Sequence, residues 1–200
     1  MRRCACLLIG TAKSVDSDAM GLQLVRWFLA AAGVVVASAM PCDGARAQSA
    51  KGEATGLPVP RFLSLKSDRV NMRAGPGTEY PTLWVYRRVG LPVEVIREVE
   101  GWRQIRDSEG STGWVTQTLL SGRRTAIVLP WEIKSGQNLP TVTLRVDDSE
   151  SADAVAQLEA GVLADVAGCD GRWCRISVGD LRGYVNQTRL WGVYPNETVK

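Results

Sequence analysis

No histidine occurs among the 200 residues. That absence excludes, within this chain, a Ser-His-Asp triad, a Cys-His pair, histidine-ligated zinc or haem, and an imidazole general base. An excess of one charge is also lacking. The 24 basic and 21 acidic residues leave a formal net of +3, too little for a nucleic-acid footprint. The uncharged run Trp27–Met40 is 14 residues long, short of the roughly 20 that a spanning helix needs. Neither unit described below has a long run of helical periodicity. What remains is ordinary for a globular chain of one or two domains: 45% hydrophobic and 22% charged residues. Nothing in this inventory calls for a cofactor or a metal.

The run Trp27–Met40 has the length of a signal-peptide core, with Arg26 before it and the small-residue motif Ala45-Arg46-Ala47 after it. Cleavage between Ala47 and Gln48 is expected, with Ser38-Ala39-Met40 the weaker alternative. The approach to the core is long and carries Asp16 and Asp18, whereas Met20-Gly21-Leu22 opens a signal of ordinary proportions. Met20 is therefore the expected start, with a long functional leader from Met1 the alternative, and N-terminal sequencing of an uncleaved precursor decides between them. Cys42 lacks the surroundings of a lipoprotein site. Cleavage removes five of the basic and three of the acidic residues, leaving a net of +1 and no spanning segment. It also removes Cys4, Cys6 and Cys42. Cys169 and Cys174 remain, an even pair in an exported chain, and are expected to form a disulfide. Their spacing does not fit CxxC redox chemistry, and two sulfurs alone make a poor zinc site.

The rest of the chain is a degenerate repeat. Val70-Asn71-Met72-Arg73 returns as Val142-Thr143-Leu144-Arg145, Gly101–Ile105 as Arg172–Ile176, and Gly113-Trp114-Val115 as Gly183-Tyr184-Val185. The offset drifts from 72 to 71 to 70, as expected of one duplicated unit with single deletions in its loops. Each unit reads as five short strands: in the first, Val70–Arg73, Leu83–Val89, Pro92–Glu98, Trp102–Asp107 and Gly113–Thr116. Ala152–Ala160 could hold a helical turn, but its position in the repeat favours loop plus strand. The expected organisation is leader 1–47, N-terminal tail 48–66, first domain 67–121, a partly ordered linker 122–138 with a strand at Thr125–Leu129, second domain 139–193 and C-terminal tail 194–200.

The order VNMRAGPGTEYP, Gly-Leu-Pro-Val, GWRQIR, GWV resembles bacterial SH3-like domains, and the region 57–195 resembles exported proteobacterial proteins with two tandem units of that kind. The second unit departs from the pattern, with Val146-Asp147-Asp148-Ser149 for Ala-Gly-Pro-Gly and Tyr184 for Trp. The resemblance implies an all-β fold of two small, partly open barrels, a periplasmic location and association with the cell wall or its peptides.

Candidate site residues gather in the first unit. Tyr80, Trp84, Trp102 and Trp114 flank the loop Arg73–Tyr80, and such aromatics can line a groove for an extended peptide. Trp102 and Trp114 also suit a barrel core. Arg73, matched by Arg145, could grip a carboxylate or could brace its own loop. The acidic stretch Asp147–Glu150 with Asp153 lacks the spacing of a calcium loop. Ser64 or Ser67 beside Lys66 has no nucleophile motif around it, and the sequons at Asn186 and Asn196 have no bearing in the bacterial source that the resemblance implies. The expected function is a non-enzymatic periplasmic binding module for a peptidoglycan stem peptide or an extended envelope-protein segment. The alternatives are a structural subunit packed on a larger envelope protein and, more distantly, a cell-wall hydrolase.

Overall fold

A computed structural model describes residues 50–133 and 138–200. The leader, the Ala47/Gln48 cleavage point, the Met20 start and part of the linker lie outside the described residues. A small hairpin, β1 (Ala50–Lys51) and β2 (Pro58–Val59), opens the structure. The first barrel follows, from β3 (Arg61–Leu65), β4 (Val70–Arg73), β5 (Thr82–Tyr86), β6 (Pro92–Val99), β7 (Trp102–Arg106), β8 (Thr112–Thr116) and β9 (Leu120–Ser121). Its antiparallel sheet has the order β5-β4-β8-β7-β6-β3-β9. The second barrel is built from β10 (Thr125–Val128), β11 (Thr141–Arg145), β12 (Ala154–Glu159), β13 (Leu163–Asp170), β14 (Trp173–Val178), β15 (Leu181–Asn186) and β16 (Leu190–Trp191). Its order, β12-β11-β15-β14-β13-β10-β16, repeats the first strand for strand, and β17 (Thr198–Val199) adds to β13.

The duplication extends to the irregularities. The β4–β5 register shifts between Met72 and Arg73, and the β11–β12 register between Leu144 and Arg145. The β6–β7 register shifts between Val95 and Arg97, and the β13–β14 register between Val166 and Gly168. Bulges bend and twist a strand, and here they curl both sheets at matching points. The repeated glycine has a packing cause. A Cβ on Gly113 would meet the Met72 side chain at 2.5 Å and the Arg73 carbonyl oxygen at 2.9 Å; one on Gly183 would collide with the Arg145 carbonyl. Only glycine lets these strands cross so closely. The valine two positions on, Val115 or Val185, is fully buried in its core.

The sequence reading is corrected in four places. The expected tail 48–66 contains β3, which pairs with both β6 and β9 and buries Phe62, Ser64 and Leu65. The strand expected at Thr125–Leu129 in the linker is β10, Thr125–Val128, buried along its whole length between β13 and β16. With the short closing strands β9 and β16 as well, each barrel has seven strands where the unit was read as five, and β17 makes the second sheet eight-stranded. The C-terminal tail is tied down as well: β17 pairs with β13, and Glu197 holds Arg124 at 2.9 Å. Finally, β5 ends at Tyr86, where Val89 was expected. Pro58, Pro60 and the mixed composition around them hid a strand whose apolar residues matter only once a partner strand covers them.

Cys169 and Cys174 form a disulfide and sit opposite each other in the β13–β14 ladder. At the hairpin tip the backbone N–H groups of Trp173 and Arg172 both donate to Asp170 at 2.7 Å. Those bonds hold the Asp170 carboxyl below the usual carboxylate range.

The two barrels share a seam. Thr125 Oγ1 donates to the Gly90 carbonyl at 2.6 Å. Phe62 of the first barrel lies 5.2 Å edge-on from Trp191 and 4.7 Å from Tyr194, measured between ring centres. The Tyr194 hydroxyl donates to Glu94 at 2.8 Å, and the same carboxylate accepts from Arg106 Nε at 2.7 Å. Burial first, then the bond to Glu94 and its charge, push the Tyr194 phenol above its ordinary range, so it stays a donor.

Candidate functional site

The duplicated arginine braces its own loop. Arg73 Nη1 donates to the carbonyls of Thr78 at 2.9 Å and Tyr80 at 2.7 Å. Arg145 Nη1 donates to the Ala152 carbonyl, seven residues on as Tyr80 is from Arg73, at 2.7 Å. Each arginine thus closes the loop between the first two strands of its repeat, and the intradomain reading describes both.

The four aromatics have different surroundings. The Tyr80 ring covers Gly75, where a Cβ would meet it at 2.5 Å. Trp114 is buried beside Arg73 on β4, and Trp102 is half-buried at the start of β7. Tyr80 is still 41% exposed, and Trp84 is the most exposed of the four, at 59% on β5. Ser64 is buried within β3, which removes it from a Ser-Lys pairing with the exposed Lys66. The acidic stretch 147–153 is loop, and among the described residues no cluster of three or more acidic or cysteine side chains could hold a metal.

Trp84 stands instead at a cleft between the barrels, about 590 Å³ in volume. One wall is β5 and its continuation, Trp84 to Arg87. The β7–β8 loop contributes Asp107 and Glu109. The second barrel supplies Ile127, Pro130, Ile133 and Gly161 opposite. Asp107 organises the loop: it accepts backbone N–H groups of Glu109 at 3.1 Å and Ser111 at 2.8 Å. It also accepts the Tyr86 hydroxyl at 3.0 Å. Burial first, then the charge of Asp107 and this hydrogen bond, push the Tyr86 phenol above its ordinary range. Asp107 is therefore spent on structure. Arg87 and Glu109 are exposed and form no ion pair among the described residues, and Ile133 is 49% exposed. An apolar wall between two unspent opposite charges suits binding.

Reading the sequence missed Tyr86, Arg87, Asp107 and Glu109. The alternation in Thr82–Tyr86 placed Trp84 and Tyr86 together, and the Asp107–Gly110 turn was visible, but nothing in the sequence brought Ile133 against them.

The profile of the family described as bacterial SH3 domain matches residues 66–122 and 139–192, more than half of the chain and one match per barrel. The chain belongs to the bacterial SH3 domain family. It has two tandem SH3 units and the all-β fold that the resemblance implied. Over 168 residues it is 24% identical to the Bacillus subtilis (strain 168) protein YrvJ, which carries the name of an N-acetylmuramoyl-L-alanine amidase. The alignment takes in 80% of this chain and 30% of YrvJ, so the chain spans less than a third of that relative. Among solved structures it is similar to NlpC2 from Trichomonas vaginalis, at 13% identity and a TM-score of 0.29, over 66% of this chain and 48% of that one. It is also similar to an NlpC/P60 family protein from Bacillus cereus ATCC 10987, at 10% identity and a TM-score of 0.28, over 65% and 55%. No helix among the described residues is long and apolar enough to cross a membrane.

Proposed function

We propose that this SH3 tandem is an exported, non-enzymatic binding module of the cell envelope, acting in the periplasm. Its cleft holds a peptide, either a peptidoglycan stem peptide or an extended segment of an envelope protein. The observation that carries this reading is the open cleft beside Trp84, with exposed apolar surface and the uncommitted Arg87 and Glu109 at its rim. A binding module is further supported by what the polar groups already do. Asp107 is consumed by Tyr86 and its own loop, Arg73 by its own carbonyls, and Ser64 is buried. The wall as a setting is supported by the amidase name of YrvJ, of which this chain matches a part.

Cosedimentation of the purified protein with purified sacculi tests the reading, with cross-linking in cells run beside it. Trp84→Ala should weaken capture about tenfold or more, the effect of truncating an anchoring tryptophan. Tyr80→Ala, away from the cleft, should leave capture unchanged. The absence of both pelleting and a Trp84-dependent cross-link would refute the reading.

A further inference from the structure

The strand beside the cleft is a free edge. β5 is the last strand of its sheet and, among the described residues, pairs on one side only, with β4. Antiparallel pairing uses the N–H and C=O of alternate residues, so the other set points outward. Successive side chains of a strand point to opposite faces. A cleft that touches Trp84, Val85, Tyr86 and Arg87 in succession therefore touches the strand along its edge, where the backbone groups are. Exposed edges are normally blunted with charge, proline or a covering element. The run Thr82-Leu83-Trp84-Val85-Tyr86 has no charge and no proline, and both Leu83 and Trp84 are more than half exposed. The matching edge strand of the second barrel, β12, carries Gln157 and Glu159 instead.

We infer that the cleft accepts an α-linked L-polypeptide segment that adds as a strand to the free edge of β5. This rests on the proposed peptide-binding reading and selects between its two ligands. The facing wall of Pro130 and Ile133 bounds the space, and 590 Å³ lies within the roughly 300–1,000 Å³ of small-ligand sites, so one strand fits and a folded partner does not. A stem peptide is a poor ladder partner, because its alternating chirality and γ-linkage break the two-residue repeat that strand addition uses. Charge defines the occupant further. Its apolar side chains face Trp84 and Ile133, a carboxylate meets Arg87 and a cationic group meets Glu109.

A random L-dodecapeptide library displayed on phage, panned on the purified protein, supplies the probe, and a recovered sequence is then made as a synthetic peptide. The expected peptides alternate apolar residues and carry an acidic one. N-methylation at every second residue should weaken binding about tenfold, while the intervening positions tolerate it. Trp84→Ala should weaken binding comparably, and Arg87→Glu should shift preference to a peptide whose acid is replaced by lysine. Peptides indifferent to alternate N-methylation, or no enrichment over panning on Trp84→Ala, would overturn the inference. A purified disaccharide-tetrapeptide that binds in a Trp84-dependent way while no L-peptide does would overturn strand addition and leave the binding-module reading standing. Failure of both probes would remove both.

Discussion

Glu98 provides the sharpest test of how the first barrel holds its N-terminal hairpin. Its side chain is fully buried and is the common partner of three residues. Thr55 donates through its backbone N–H at 2.9 Å and its hydroxyl at 2.8 Å; Arg61 pairs with one carboxylate oxygen, and Arg103 Nε lies 3.3 Å away. Replacing Glu98 with Gln keeps the shape and removes the charge. Breaking a buried ion pair costs about 3–5 kcal/mol. The lower end applies here, because Arg61 is partly exposed and Arg103 keeps the carbonyls of Glu100 and Trp102 and the Gln117 side chain. About 3 kcal/mol, with roughly 2–4 °C per kcal/mol for a chain of this size, lowers Tm by about 6–12 °C. The pH dependence supplies a second check. Burial opposes ionisation of Glu98, but the hydrogen bonds from Arg61 and Thr55 and the charge of Arg61 outweigh it, so its pKa is lowered on folding. The unfolded chain then binds the proton more readily, and stability rises with pH across that interval. The contribution is complete above the ordinary glutamate range and disappears as pH falls through the lowered folded value. Urea unfolding of both proteins across the acid range measures this. A loss below about 1 kcal/mol at neutral pH, or a difference that does not shrink in acid, would refute the reasoning.

Gly183→Ala should destabilise more than Gly113→Ala, within a range of about 1–3 kcal/mol, because a fixed backbone carbonyl obstructs the first and partly a flexible methionine the second; thermal melts rank them. Reducing the Cys169–Cys174 disulfide should cost about 2 kcal/mol, the chain-entropy value for so short a loop, read as a lower urea midpoint in dithiothreitol. Tyr194→Phe removes a hydrogen bond at the seam to the carboxylate that Arg106 pairs with and should cost about 1.5–3 kcal/mol in the same assay, without change in the Trp84-dependent binding.

Much of the fold was legible because it is written twice. A short β-strand carries a weak signal, but Val-x-x-Arg, Gly-x-Val and the Trp-containing strand recur in one order at nearly constant spacing. Duplication turned those weak signals into a repeat unit, and the structure keeps even its bulges in step. The first strand of the first barrel escaped because pairing, more than local pattern, makes it a strand. β3 follows a proline-rich stretch, whereas the apolar, β-branched run of β10 was legible and only its place in the second barrel needed β13 and β16.

The candidate site divides along the same line. Trp84 stood out as a large aromatic beside a glycine-rich loop, and it does border the cleft. Tyr80, Trp102 and Trp114 carry the same local signal, yet packing assigned them to a loop cover, a half-buried strand end and a buried place between Arg73 and Gln104 on the face away from Val115. Residue type announces what a side chain can do, and its neighbours decide which capacity is used. By itself the sequence determined the tandem all-β architecture, the cysteine pair and the absence of imidazole chemistry, since these depend on local pattern and composition. Only the tertiary structure decided that Arg73 braces its own loop, that β5 ends its sheet, and that Ile133 and Trp84 line one cleft. Each of those depends on how segments far apart in the chain are brought together, and short-range pattern does not encode that distance.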